Sequence, residues 1–283
     1  MARRAPTGPV RARLEGGGDP AGVPDSRPML LAIDAGNTDI ALGVFDGDRL
    51  VADFRVHTER RATSAELGLL VTALLRGSGV EPEAISGVAV SNVVPALSRS
   101  LEEVARRQFH VVPLVVGPGV RTGIRIHYDD PSQVGGDRIA NAIAVHHLHG
   151  GPAIICDFGT ATTVDAIDAA GDYLGGAVAP GIMVSHDALV ERAARLARVE
   201  LAAPESVLGH NSRASMQAGL VFGYAGLVDG LVGRMRREVG GNAKLIVTGG
   251  LAPLMAGLIA GVDAVDERLT LVGLRLLHEL NAG

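Results

Sequence analysis

The chain has 283 residues, of which 47% are hydrophobic, with a net charge of −5 and one cysteine. That length allows two medium domains or one large one. The charge gives no reason to expect nucleic acid or a membrane surface as a partner. One Cys excludes an intrachain disulfide and fits a reducing, cytoplasmic setting. No uninterrupted apolar run reaches the roughly 20 residues of a bilayer span. No Gly-Lys-Ser/Thr sequence is present, which excludes a P-loop kinase.

Residues 1–28 are rich in Arg, Pro, Gly and Ala and carry no apolar period. They read as a disordered tail, or as sequence upstream of a true start at Met29. From there the pattern is strand, tight turn, strand, strand: 30–33, 40–45 and 50–56, with Asp46-Gly47-Asp48 as a hairpin signal. The spacing predicts a helix over 64–75, with Leu67, Leu70, Leu74 and Leu75 on one face and Gly77 beyond its end. A strand at 88–90, a helix to about Gln108 and a strand at 111–116 follow. Asp137 opens a helix to about His147. Gly150-Gly151-Pro152 then divides an N-terminal half, 29–150, from a C-terminal half, 151–283. The second half restarts as the first did. A long helix is predicted over 211–238, with Met216, Leu220, Tyr224, Leu227, Leu231 and Met235 at helical spacing. Alternating strands and helices give an α/β class, and the hairpin after each loop implies mixed sheets.

Two segments look like copies of one device. Leu30-Leu31-Ala32-Ile33 runs into Asp34-Ala35-Gly36-Asn37-Thr38, and Ala153-Ile154-Ile155-Cys156 runs into Asp157-Phe158-Gly159-Thr160-Ala161-Thr162-Thr163. The Asp can hold a cation, the Gly lets backbone approach a phosphate, and the Asn and Thr groups add donors. One such turn is ordinary loop chemistry. Two after matching strands suggest a duplicated fold that grips a nucleoside triphosphate between its halves. Gly135-Gly136-Asp137-Arg138 reads either as a capped helix start or as a carboxylate and a guanidinium set where helix donors favour anions. On the second reading Asp137 accepts a hydroxyl proton and Arg138 holds an anion.

Thr248-Gly249-Gly250 reads either as an ordinary strand-to-helix turn or as a place for backbone to pass close to a flat ring, adenine or ribose. Gly219, Gly223, Gly226 and Gly230 line the long helix, each costing about 0.5–1 kcal/mol against Ala. They signal close approach by another helix, within the chain or across a dimer. His146, His147 and His149 lack an acidic partner and read as a solvated helix end. Cys156 reads as a small core residue.

Taken in order, these segments resemble type III pantothenate kinase from about Met29 to Asn281. Also matching are Ser91-Asn92-Val93-Val94-Pro95, Tyr128-Asp129-Asp130-Pro131, Gly175-Gly176-Ala177-Val178-Ala179-Pro180-Gly181 and Leu269-Thr270-Leu271-Val272-Gly273-Leu274. The resemblance implies the duplicated ribonuclease-H-like fold of the actin, sugar kinase and chaperone ATPase superfamily, two similar domains with mixed sheets. It implies ATP-dependent phosphorylation of pantothenate to 4'-phosphopantothenate, the first step toward coenzyme A. It further implies a cytoplasmic homodimer with its site near the dimer interface, using Mg2+ and a monovalent cation, K+ or NH4+.

Carried over by position, Asp34, Ala35, Gly36, Asn37, Thr38, Asp39, Ile40 and Ala41 form the first ATP loop, and Thr160 also binds ATP. Asp34 stands near Mg2+, directly or through water, and Asp157 binds the monovalent cation. Tyr128, Gly135, Gly136, Asp137, Arg138 and Ser212 contact pantothenate, with Asp137 as proton acceptor. Gly136 departs from a usual Ala, Ser212 from a usual Thr, Ala197 from a usual Pro and Asp39 from a neutral residue, this last weakening nearby phosphate attraction. Two other readings stand beside this one. One is a kinase of the same superfamily with a different acceptor. The other is a non-catalytic regulatory relative, against which Asp34, Asp137 and Asp157 all argue.

Overall fold

The computed structural model describes residues 28–282, so the expected tail lies outside it but for Pro28. In the N-terminal half, strands β1 (Met29–Ala35), β2 (Asp39–Asp46) and β3 (Arg49–His57) form an antiparallel meander. Helix α1 (Ser64–Gly77), strand β4 (Ile85–Asn92), helix α2 (Ser98–Gln108) and strand β5 (Leu114–Val115) follow, then helix α3 (Gly136–His149). The C-terminal half repeats the plan with β6 (Ala153–Phe158), β7 (Ala161–Ile167) and β8 (Tyr173–Pro180). It continues through α4 (Ile182–Arg192), α5 (Ser212–Val239), β9 (Lys244–Thr248), α6 (Ala252–Met255), β10 (Ala264–Val265) and α7 (Leu269–Asn281). The sheets have matching orders, β3-β2-β1-β4-β5 and β8-β7-β6-β9-β10, with the last two strands of each parallel to the central one.

Side-chain alternation along the two central strands decides what each face meets. Leu31, Ile33 and Ala35 of β1 pack with Leu67, Val71 and Leu75 of α1 and Leu101 and Val104 of α2. Leu30 and Ala32 point the other way, to Leu271, Leu274 and Leu277 of α7. In β6, Ile154, Cys156 and Phe158 pack with Leu220, Val221 and Val228 of α5, while Ala153 and Ile155 meet Ile139, Ala142 and Val145 of α3. Each fully buried Leu, Ile or Phe contributes about 1.5–3 kcal/mol relative to exposure. Helices α3 and α7 thus form a shared layer between the sheets. They touch backbone to backbone, since a Cβ on Gly273 would overlap the Ala140 carbonyl. The last helix in the chain therefore covers the first sheet.

Local chemistry sets the element ends. Thr63 and Glu66 form a reciprocal capping box on α1, with Thr63 N donating to Glu66 Oε2 at 2.8 Å. Gly77 ends that helix rather than lying beyond it, and Gly79 makes the exit turn at φ 80°. Leu70 is 39% exposed, and Val71 takes its expected place in the core. The fifth strand spans only Leu114–Val115, shorter than the apolar run suggested. Asn211 caps α5 by accepting from Ala214 N at 2.9 Å. That helix is long and apolar enough by length and composition to cross a bilayer, although no uninterrupted apolar run within it is. Here it is a core helix, burying Met216, Leu220, Val221, Val228 and Val232 under the C-terminal sheet.

Candidate active site

Period-2 alternation places Asp34 on the face of β1 shared by Leu30 and Ala32, and Asp157 on the face of β6 shared by Ala153 and Ile155. Both carboxylates are thereby aimed at the α3–α7 layer, where Asp137 sits in the first turn of α3. Each Asp-x-Gly turn is closed by its glycine N–H, though over different spans: Gly36 N donates to Asp39 O, three residues on, at 3.0 Å, and Gly159 N to Ala161 O, two residues on, at 3.1 Å. The two loops then meet, because Thr38 Oγ1 and Thr160 Oγ1 are hydrogen-bonded at 2.8 Å.

Asp137 does not cap its helix. Gly135 is the N-cap and makes no side-chain cap bond, so first-turn N–H groups remain available to an anion. The Asp137 carboxylate accepts from Arg138 N at 2.8 Å and folds over Gly135, where a Cβ would strike it. At Gly136 a Cβ would sit 3.1 Å from Val116, so Gly lets the helix start pack tightly there. Arg138 is engaged by Asp165 of β7, with Nε donating to its two oxygens at 3.1 and 3.2 Å. Tyr173 Oη also donates to Asp165, at 2.8 Å. The Tyr128 ring lies 6.5 Å from that of Tyr173. Asn141, buried in mid-α3, donates to Asp157 at 3.1 Å and accepts from Thr270 at 2.8 Å.

The carboxylates repel one another and are crowded by protein. Burial, then Asp137, raises Asp34 to about 7, against the opposing influence of Ser91 and Arg55. Burial, then Asp137, raises Asp157 to about 6, with Asn141 opposing. Burial also raises Asp137 above the usual carboxylate range, although the Arg138 N–H and charge work against it. In the unfolded chain Asp34 and Asp157 titrate near 3.8. Between that value and about 6 to 7 the native state therefore holds more protons than the unfolded one. The contribution of this pair to stability is largest at low pH and is lost as pH rises through that window. Denaturant unfolding of the ligand-free protein should show this downward trend, flattened in Asp34→Asn. Equal slopes in the two proteins would contradict it.

The donor set suits hard cations: carboxylate oxygens at Asp34 and Asp157, and beside Asp34 the buried Ser91 hydroxyl, which lacks a well-formed protein partner. Among the described residues no three His, Cys, Asp or Glu side chains converge to hold an ion alone. A cation here would complete its shell with water and phosphate oxygens, as Mg2+ commonly does.

Other predicted positions fall into place by their chemistry. Ala35 and Ile40 are buried, so they serve the loop through backbone only. Ala41 pairs with Asp34 across β1 and β2. Asn37 Oδ1 accepts from Arg60 at 3.2 Å. Asp39 lies 3.9 Å from both Arg55 and His57, and the Arg55 guanidinium offsets its charge beside the first Asp-x-Gly turn. Ser212 stands in the first turn of α5, lining a groove of about 730 Å³ with Ser185, Leu189, Leu196 and Met216. Among the described residues it makes no hydrogen bond to the Asp137 cluster. Nothing in the structure explains Ala197. Cys156 is fully buried, and burial pushes its thiol up, away from nucleophilic use.

The sequence reading missed Thr58, whose Oγ1 donates to Gly36 O at 2.7 Å and whose N donates to Thr38 O at 2.8 Å. It also missed the roles of Asp165, Tyr173 and Asn141. For Asn141, a polar residue amid Ile139-Ala140 and Ala142-Ile143 was the available signal.

Two sheets of matching order, each carrying an Asp-x-Gly turn at the same strand end, define the duplicated ribonuclease-H-like class, the fold of actin, sugar kinases and chaperone ATPases. A Baf family transcriptional activator from Campylobacter jejuni has a similar structure, with TM-score 0.57 at 18% identity over 89% of this chain and 98% of that one, a likeness of fold alone. A family model described as type III pantothenate kinase matches residues 30–234. Over 253 residues, 89% of this chain, the sequence is 49% identical to the type III pantothenate kinase of Moorella thermoacetica, covering 100% of that protein. It is 51% identical over the same share to the enzyme of that name from Anaeromyxobacter sp. strain Fw109-5, again covering 100%. The chain belongs to the type III pantothenate kinase family.

Proposed function

We propose that this protein transfers the γ-phosphoryl group of ATP to pantothenate, giving 4'-phosphopantothenate for coenzyme A synthesis in the cytoplasm. The observation that carries the reading is the placement of Asp137 at the start of α3, under the two Asp-x-Gly turns that meet through Thr38 and Thr160. The loops of Asp34–Ala41 and of Thr160 hold the nucleotide phosphates by backbone and hydroxyl donors. Tyr128, Gly135, Gly136 and Arg138 orient the acceptor, and Asp137 takes its hydroxyl proton. Asp34 and Asp157 would hold Mg2+ and a monovalent cation, K+ or NH4+, which when bound screen phosphate charge during transfer.

Pantothenate phosphorylation by the purified protein, followed in Mg2+ with K+ or Na+, tests this directly. Product in K+ and less in Na+ is the expected result. A folded protein that makes none with either cation would sink the assignment.

The reading includes a homodimer built on α5. Nothing lies within 4 Å of a Cβ placed on Gly219, Gly223 or Gly226, so no helix of the described chain uses the close approach these residues permit. Ser212, at the start of the same helix, then lies beside the partner. Gly223→Arg should shift the sedimentation coefficient from dimer to monomer. A variant that sediments like the parent dimer would remove α5 from the interface.

A further inference from the structure

We propose that Asp165, held by Tyr173, is the positioning residue for Arg138, so that this guanidinium meets the acceptor substrate as a rigid hydrogen-bond donor and not as a free positive charge. The inference rests on the proposed acceptor role of Arg138. Asp165 is 1% exposed and the Arg138 side chain 11% exposed. The Arg138 Nε–H is shared between both carboxylate oxygens, and Nη2 donates to Oδ1 as well. That fork geometry fixes the plane of the guanidinium, which a single contact would leave free to turn.

Three features of the surroundings serve the same end. Tyr173 Oη donates to Asp165 Oδ1, which keeps the carboxylate from rotating. The Tyr173 ring lies 5.8 Å from the Arg138 carbon, within cation–π range. Gly176 faces Asp165 across β7 and β8, and a Cβ there would run into the Asp165 carboxylate. Among the described residues Nη1 of Arg138 has no protein acceptor, and its N–H groups remain for a substrate oxygen. Arg138 lies on α3 and Asp165 on β7, so the pair also locks the helix that carries Asp137 to the sheet that carries Asp157.

The charge consequence is chemical. Asp165 offsets part of the positive field that the arginine sets at the neighbouring Asp137. Removing either partner leaves a buried charge without its counterion.

Asp165→Asn and Tyr173→Phe test the proposal in the full-length protein. We expect Asp165→Asn to raise the KM for pantothenate by about tenfold or more while the KM for ATP stays within about twofold. Tyr173→Phe should move the same constant in the same direction by less, and it keeps the test open should Asp165→Asn fail to fold. Exchange of the Arg138 Nε proton, followed by NMR, should be slow in the parent and at least about tenfold faster in Tyr173→Phe, because the bond then opens more often. Equal changes in both KM values, or an unchanged pantothenate KM in a folded variant, would overturn the positioning role. A parent protein that turns over no pantothenate would overturn the proposed function instead. The proton exchange then decides alone, and unchanged exchange in Tyr173→Phe would end the idea.

Discussion

Asp137→Asn lowers kcat for pantothenate phosphorylation by about 10²- to 10⁴-fold, the span usual for loss of a general base. The amide is isosteric and its oxygen still accepts from Arg138 N, so the start of α3 should keep its shape. What disappears is the place for the hydroxyl proton. A carboxylate is a weak base for an alcohol, and in the proposed role it would suffice because the phosphoryl transition state is loose and the proton leaves late. Burial, which raises Asp137 above the usual range, makes it a somewhat better acceptor. The parent enzyme should therefore lose kcat/KM as pH falls through the Asp137 titration. Single-turnover assays with saturating ATP, beside a titration of nucleotide binding, separate chemistry from affinity. Retained ATP binding with lost transfer supports the base. Activity within about threefold of the parent would place the proton acceptor elsewhere, since losing a base costs far more.

Gly249→Ala should abolish nucleotide binding and destabilise the fold together. Gly249 has φ 93°, a left-handed backbone that costs a residue with a Cβ about 1–3 kcal/mol. A Cβ there would lie 2.6 Å from Phe158 N and closer still to Asp157 Oδ1. Overlap of that kind adds about 1–3 kcal/mol, and the atoms that must yield belong to the second phosphate loop. The melting temperature should fall by several degrees or more and ATP should no longer saturate the enzyme. Gly77→Ala is the control. It ends a helix with nothing within 4 Å of its Cβ, so a shift of about 1 kcal/mol or less is expected. Normal ATP saturation in Gly249→Ala would show that the turn tolerates a side chain and would remove its claimed role beside Asp157.

Much of this protein is written in short-range pattern. Continuous apolar runs at 30–33 and 153–156, followed by Asp-x-Gly, determined both central strands and the turns that follow them, because a short apolar run and turn chemistry are local properties. The same locality marked Gly135-Gly136-Asp137-Arg138 as a helix start.

Locality also explains the misjudged details. The run 111–116 is apolar enough for a full strand, yet only Leu114–Val115 finds a partner strand. The spacing of Leu70 suited the helix face, but the position of the sheet chose Val71.

Only the tertiary structure decided what holds the loops. Thr38 meets Thr160 because the halves fold onto a common α3–α7 layer. Thr58 braces the first loop from the far end of a hairpin, and Asp165 reaches Arg138 from the neighbouring sheet. These are pairings between residues far apart in the chain, so no local propensity encodes them. They arise when burial of two apolar faces fixes the relative placement of the sheets, and the polar groups left in the seam must then satisfy one another or a ligand.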